Sequence, residues 1–221
     1  MTLQKANIRK ARSKKLIAKL KKLFPDANMI LRYSNNWELL VAVVLSAQCT
    51  DKMVNKVTET LFKKYKTLAD YQNVSQIEFE KDIHSTGFYR AKTKNILAAA
   101  TVVATNFKGV IPNTLEELIT IPGVGRKTAN VVLGNAFGIT EGIAVDTHVK
   151  RFAIRFDLTD QKTPEGIEKD LMEILPKNEW FRFTYLAIEY GRAIAPARKY
   201  DTTSDPLIKI YPPAAEGWHK S

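Results

Sequence analysis

Two segments of this chain carry residue types suited to amine chemistry on an anionic substrate. The first is Ile121-Pro-Gly-Val-Gly-Arg-Lys127-Thr-Ala, and the second is Val145-Asp146-Thr-His148, whose Asp146 lies nineteen positions after Lys127. Gly123 and Gly125 let a backbone approach closely. A helix N-terminus behind such a turn presents unsatisfied amides that bind anions, the phosphate of a nucleic acid foremost. Lys127 falls in the first turn of the helix that follows. There the macrodipole and the neighbouring Arg126 both disfavour added positive charge, and so favour the unprotonated amine a lysine nucleophile requires. Read alone, Lys127 is a solvent-exposed helical lysine; beside an anion-binding turn, the nucleophile is the better reading. Asp146 reads equally as the N-cap of the helix it precedes and as a carboxylate that stabilises positive charge or moves protons, and the two roles are compatible. His148 reads as a hydrogen-bonding group rather than a catalyst.

These residues need rigid elements behind them, and every strongly periodic segment reads as helix. Thr114-Leu-Glu-Glu117 is a capping box opening a short helix before the Gly turn, and Lys127 to Phe137 places Ala129, Val132, Leu133 and Ala136 at helical spacing after it. Trp37 to Ala47 is apolar nearly all round, which predicts a buried central helix. Lys52 to Tyr65 is amphipathic, Ser75-Gln-Ile-Glu78 is a second capping box, and Tyr89 to Phe107 is a long Ala-rich helix. Further helices are expected from His148 to Phe156, from Pro164 to Leu175 with Thr163 as N-cap, and from Trp180 to Tyr190 closed by Gly191. Near the start, Ile17, Leu20, Leu23 and Phe24 predict a helix from Leu16, while residues 1–12 read as a frayed basic tail. No strand-like alternation, repeat or low-complexity linker interrupts the pattern, so the chain is expected to be all-α.

Composition narrows the partner. Of 221 residues, 34 are Lys or Arg against 23 Asp or Glu, a formal net charge of +11. Such an excess is the electrostatic footprint of a polyanion-binding protein, and nucleic acid fits better than a membrane surface. No apolar run approaches the roughly twenty residues that span a bilayer. The single cysteine, Cys49, excludes an intramolecular disulfide and fits a reducing cytoplasm. Metal binding by His84, His148 and His219 has little support without a Cys/His cluster.

The chain resembles the helix-hairpin-helix DNA glycosylases, and among them the endonuclease III type. Leu45-Ser-Ala-Gln48-Cys-Thr-Asp51, Ser85-Thr-Gly-Phe88-Tyr, the Gly-rich hairpin and Ile143-Ala-Val-Asp146-Thr-His148 follow the family's order, over roughly residues 15–200. The hairpin alone is weak evidence, but hairpin, lysine and downstream aspartate together are specific. The resemblance implies two lobes, residues 29–138 and residues 1–28 with 139–221, and a catalytic groove between them. It implies that Lys127 attacks the sugar C1′ of a flipped nucleotide, expels the base, and passes through a Schiff base to β-elimination, with Asp146 assisting. Gln48 would enter the gap and read the orphaned base, and Phe88 would unstack a base step as a wedge. Gly123, Val124, Gly125, Arg126 and Thr128 would clamp the backbone, with His148, Arg198 and Lys199 as further DNA contacts. Asp51 reads as a helix cap. The expected partner is double-stranded DNA carrying a damaged base or an abasic site, met by a cytoplasmic monomer away from any membrane.

Two alternatives remain open. Monofunctional glycosylases of the same fold typically put Ser or Tyr where Lys127 stands, and a non-catalytic module would need neither Lys127 nor Asp146. The family also commonly ends in four cysteines spaced C-x6-C-x2-C-x5-C around a four-iron–four-sulfur cluster. Here those positions hold Ala195, Thr202, Asp205 and Tyr211, so no cluster, and no other cofactor or metal, is expected. Pro196, Tyr200, Pro206, Ile208, Tyr211, Pro212 and Pro213 are expected to hold the loop by packing instead.

Overall fold

The structure is a computed structural model and describes residues 2–197 and 200–220. Its α-helices are α1 (Leu3–Leu23), α2 (Asn36–Leu45), α3 (Asp51–Lys64), α4 (Leu68–Asn73), α5 (Gln76–Ile83), α6 (Tyr89–Asn106), α7 (Leu115–Leu118), α8 (Arg126–Val132), α9 (Thr147–Arg155), α10 (Pro164–Ile174) and α11 (Lys177–Ala193). Short 3-10 stretches cover His84–Thr86 and Pro212–Lys220. No strand occurs among the described residues, so the fold is all-α. The chain forms two compact units, one of Ile30–Glu141 and the other of Met1–Met29 with Gly142–Ser221.

In the unit of residues 30–141, α2 is the centre. Seven consecutive residues, Leu39 to Leu45, are buried, as its all-round apolar sequence requires. It packs on α3, α6 and α8, and α6 also carries α4 and α5. Each fully buried leucine contributes about 1.5–3 kcal/mol relative to exposure. An aromatic cluster of Trp37, Tyr65, Tyr71 and Phe79 fills one end, with ring centroids 5.2 to 5.8 Å apart. Of the two expected capping boxes, Thr114 and Ser75 each accept the amide three residues on. Thr67 and Asp70 close a reciprocal box, which fixes the start of α4. Asp51 is not the cap of α3. Thr50 is, accepting from the Met53 amide, and Asp51 occupies the first helical position.

In the unit built from both chain ends, α1 packs on α10 and α11, and α9 on α10 and α11. Phe152, Phe156, Phe183 and Tyr190 form its aromatic heart. The expected frayed tail is wrong for residues 3–12. Helix α1 begins at Leu3, capped by Thr2, and Arg9 within it is fully buried. Its guanidinium donates to Asp157 at 2.7 Å and to Asp160 at 2.8 and 3.0 Å. Arg12 donates to the Phe156 and Asp157 carbonyls and to the Asp157 carboxylate. A buried arginine must be paired, and this pairing anchors the first two turns. Gly191 was expected to close the last helix; it lies inside α11, which runs on to Ala193.

Candidate functional site

The hairpin is α7, the turn Ile119–Gly125, and α8. Thr114 caps α7, Ile121 and Val124 are buried, and the Val124 amide donates to the Ile121 carbonyl at 3.0 Å. Gly123 has φ +80°, and a Cβ there would stand 2.8 Å from the Cβ of Asn95 on α6. It is therefore required both by its left-handed backbone and by the close approach of α6. Gly125, the N-cap of α8, has φ −87° and open space where a Cβ would be. Gly125, Arg126 and Lys127 are exposed, Thr128 is half-buried, and Ala129 and Val132 are buried. The helix expected to run regularly to Phe137 changes at Leu133 into a π-helical turn, Leu133–Phe137, which ends at Gly138 with φ +66°.

Asp146 is the N-cap of α9. Its Oδ1 accepts from the His148 and Val149 amides, both at 2.8 Å, while Oδ2 has no hydrogen bond among the described residues. One oxygen thus fixes the helix start and the other stays available to bear charge or accept a proton. His148, in the first turn of α9, has Nδ1 3.2 Å from Nη2 of Arg151. A Cβ at Gly191 would come within 2.2 Å of that same nitrogen, so the glycine makes room for the imidazole. Burial, then the neighbouring Arg155, lower the Arg151 pKa, against a smaller raising effect of Asp146.

Gln48 and Phe88 both sit in loops and both adopt the left-handed conformation, φ 52° and 48°. The helix expected to run to Ala47 and so to end at Gln48 stops at Leu45, and Gln48 lies in the exposed turn that leads to α3. Left-handed backbone is uncommon for residues other than glycine and marks positions the surroundings impose. Phe88, directly before α6, is 65% exposed, so it is not the core residue its type would suggest. Arg198 and Lys199 lie outside the described residues. Part of the N-terminal basic face is engaged internally: Lys5, Arg9, Arg12 and Lys21 all pair with carboxylates.

A model of the HhH-GPD superfamily base excision DNA repair proteins matches residues 41–177. The chain is 48% identical to endonuclease III of Synechocystis sp., over 89% of this chain and 90% of that one. It is 44% identical to endonuclease III of Bacillus subtilis, over 87% and 88%. A solved structure of a trapped endonuclease III–DNA covalent intermediate, an estranged-adenine complex, matches with a TM-score of 0.90 at 42% identity, covering 94% of this chain and 97% of that one. The chain belongs to the HhH-GPD superfamily of base excision DNA repair proteins and, within it, to the endonuclease III family.

An iron–sulfur cluster does not fit the donors present. Ala195, Thr202, Asp205 and Tyr211 offer no thiolate, and an iron–sulfur cluster is held by cysteine sulfur. The Asp205 carboxylate is already engaged, accepting from the Tyr190 and Tyr200 hydroxyls at 2.5 Å and from the Leu207 amide at 2.8 Å. Among the described residues, no three His, Cys, Asp or Glu side chains gather where they could hold a metal. No local sequence signal pairs residues 190, 200 and 205 into this tyrosine–aspartate cluster. The Arg155 guanidinium lies 4.0 Å from the Tyr200 ring centroid and that of Arg12 3.9 Å from the Tyr211 ring centroid. Leu207 and Ala214 are fully buried, and Tyr200, Ile208 and Tyr211 pack against the core, whereas Pro212 and Pro213 are exposed.

Proposed function

We propose that this chain is a bifunctional DNA glycosylase and AP lyase that excises oxidised pyrimidines from duplex DNA. Lys127 is the nucleophile. Its amine forms a bond to C1′ of an extruded nucleotide as the C1′–base bond breaks, and the base departs with a proton. Opening of the sugar ring gives a protonated Schiff base, an electron sink that a hydroxyl or thiol nucleophile cannot supply. Loss of a C2′ proton then expels the 3′ phosphate. The Asp146 carboxylate stabilises the positive charge that develops on the sugar through Oδ2, while Oδ1 stays bound to the α9 amides. The Gly123, Val124 and Gly125 backbone, with Arg126 and Thr128, holds a phosphate, and His148 is a further DNA contact. Gln48 fills the vacated stack and Phe88 wedges the neighbouring step. Arg198 and Lys199 belong to the same reading as phosphate contacts. The enzyme works in the compartment that holds the DNA, the cytoplasm.

The observation that carries this reading is the likeness, at 42% identity over 94% of the chain, to an endonuclease III caught as a covalent intermediate with DNA. Lys127, exposed two residues after the glycine that caps α8, supplies the amine such an intermediate requires. Borohydride should trap a covalent complex with abasic-site DNA. Lys127→Ala should abolish trapping while DNA affinity stays within about threefold, since one exposed cation contributes little to a multi-phosphate contact. Trapping at full yield by Lys127→Ala would assign the nucleophile elsewhere.

A further inference from the structure

Lys92, on the first turns of α6, is 4% exposed, and its ammonium donates to two backbone carbonyls in different segments. One is Leu45 O, on the last residue of α2, and the other is Thr86 O, in the 3-10 turn before Gly87 and Phe88; both lie at 2.8 Å. The backbone amide of Lys92 also donates to Phe88 O, at 3.1 Å. Leu45 precedes Gln48 by three residues, and Thr86 precedes Phe88 by two. Gln48 and Phe88 are two of the four non-glycine residues with positive φ among the described residues. A single buried cation therefore ties together the roots of both left-handed loops.

Burying an ammonium is unfavourable unless its protons are accepted, and desolvation lowers the Lys92 pKa. An apolar side chain at this position of α6 would pack without that cost. What an apolar side chain cannot do is bridge. The carbonyls of a final helical turn lack intrahelical partners, and a cation meets them at the negative end of the helix. Left-handed backbone persists where surrounding contacts over-determine it, and the bridge is such a contact for both loops at once. The geometry points to Lys92 as a positioning residue for base extrusion: its ammonium locks the Gln48 and Phe88 loops to each other, so that plug and wedge enter the duplex as one preformed unit. This rests on the reading of Gln48 and Phe88 as the extruding residues.

The test uses the full chain and a duplex with 2-aminopurine beside an oxidised pyrimidine, whose fluorescence rises as the neighbouring base leaves the stack. Lys92→Met, Gln48→Ala and Phe88→Ala are compared with the unaltered protein. A charge-assisted bridge lost from a two-loop unit should lower the extrusion amplitude or rate by about tenfold in Lys92→Met. Borohydride trapping on single-stranded abasic DNA, which needs no extrusion, should persist in Lys92→Met within about threefold; a merely structural lysine would lower both signals in parallel. Normal extrusion by Lys92→Met, with Gln48→Ala and Phe88→Ala impaired, overturns the bridge alone. Normal extrusion by the Gln48 and Phe88 variants overturns the reading on which it rests. Parallel loss of extrusion and trapping makes Lys92 a core residue and also overturns the bridge. If Lys92→Met does not fold, Lys92→Gln decides. Its shorter, uncharged amide reaches one carbonyl at most, so extrusion should fall at least about threefold, and a Gln variant that extrudes normally overturns the proposal.

Discussion

The hairpin holds its shape through neighbours in sequence. Thr114 binds the Glu117 amide, Val124 donates to Ile121, and the Ala129 amide donates to Gly125 O. The segment after α11 holds its shape through distant partners. Tyr200 lies under Arg155, Asp205 takes a proton donor from Tyr190, and Tyr211 lies under Arg12 at the other end of the chain. The two regions also differ in what they expose. Lys127 and its flanking Arg126 and Gly125 are exposed, whereas the Asp205 carboxylate is 4% exposed and fully engaged. Stiffened from within, the hairpin can turn its polar groups outward, as the phosphate contact proposed for it needs. A region that only anchors the chain can bury its polar groups against one another.

Cutting the second kind of support should produce the larger stability effect. Asp205→Ala removes an acceptor shared by two tyrosine hydroxyls and a backbone amide. Leaving those donors buried and unpaired should cost about 3–5 kcal/mol. Thermal melting reads the loss, and trapping of abasic DNA, measured well below the melting point, should remain. If Asp205→Ala melts like the parent, the cluster contributes nothing and packing alone holds the segment.

Within the hairpin, the two glycines should separate shape from contact. Gly123→Ala forces a side chain into φ +80° and against Asn95, and should cost about 2–3 kcal/mol. Gly125→Ala meets no neighbour and has an ordinary φ, so stability should change by less than about 1 kcal/mol. DNA affinity should nevertheless fall, because a methyl group would stand where a phosphate approaches. Equal affinity for Gly125→Ala and the parent would remove the close-approach argument for this glycine.

The same contrast explains what the sequence made legible. The hairpin turn, the all-apolar α2 and the Thr163–Pro164 start of α10 are local signals, and each element begins where the pattern puts it, although α2 stops at Leu45, two residues before the expected Ala47. Arg9 looked like one more cation in a solvated tail because its partners, Asp157 and Asp160, lie about 150 positions away. Gly191 looked like a helix stop because glycine commonly ends helices; its reason for being there is the imidazole of His148. The left-handed turns at Gln48 and Phe88 were hidden for a related reason. Neither residue favours that backbone by itself, so the cause lies in contacts that no spacing rule encodes.

Asp146 joins the two modes, since one oxygen anchors α9 and the other is free. Asp146→Ala removes the cap and should cost about 1 kcal/mol, while Asp146→Asn, an equally good cap, should cost much less. Both should slow base release strongly, because neither carries the charge. If Asp146→Asn releases base at the parent rate, Asp146 is a cap alone.

The smallest expected effect is alkaline and confined to the C-terminal cluster. Burial, then the hydrogen bond to Asp205, push the Tyr200 hydroxyl up to about 12, against about 10 for an unperturbed tyrosine. The same causes, in the same order, push Tyr190 up as well. A pKa raised on folding contributes stability that is fully present below the unfolded value of about 10 and is lost as pH rises through the folded value. Tyr200→Phe keeps the ring under Arg155 and deletes the hydroxyl. In denaturant melts, the parent should therefore exceed Tyr200→Phe by a constant margin of about 1 kcal/mol below pH 9, the net contribution of one hydrogen bond to a charged acceptor after discounting for partial exposure. That margin should narrow between pH 10 and about 12. A margin that stays flat across this window would mean that the hydroxyl ionises alike in the folded and unfolded chain. The cluster would then anchor the segment through the Tyr200 ring and the Tyr190–Asp205 pair, without the Tyr200 proton.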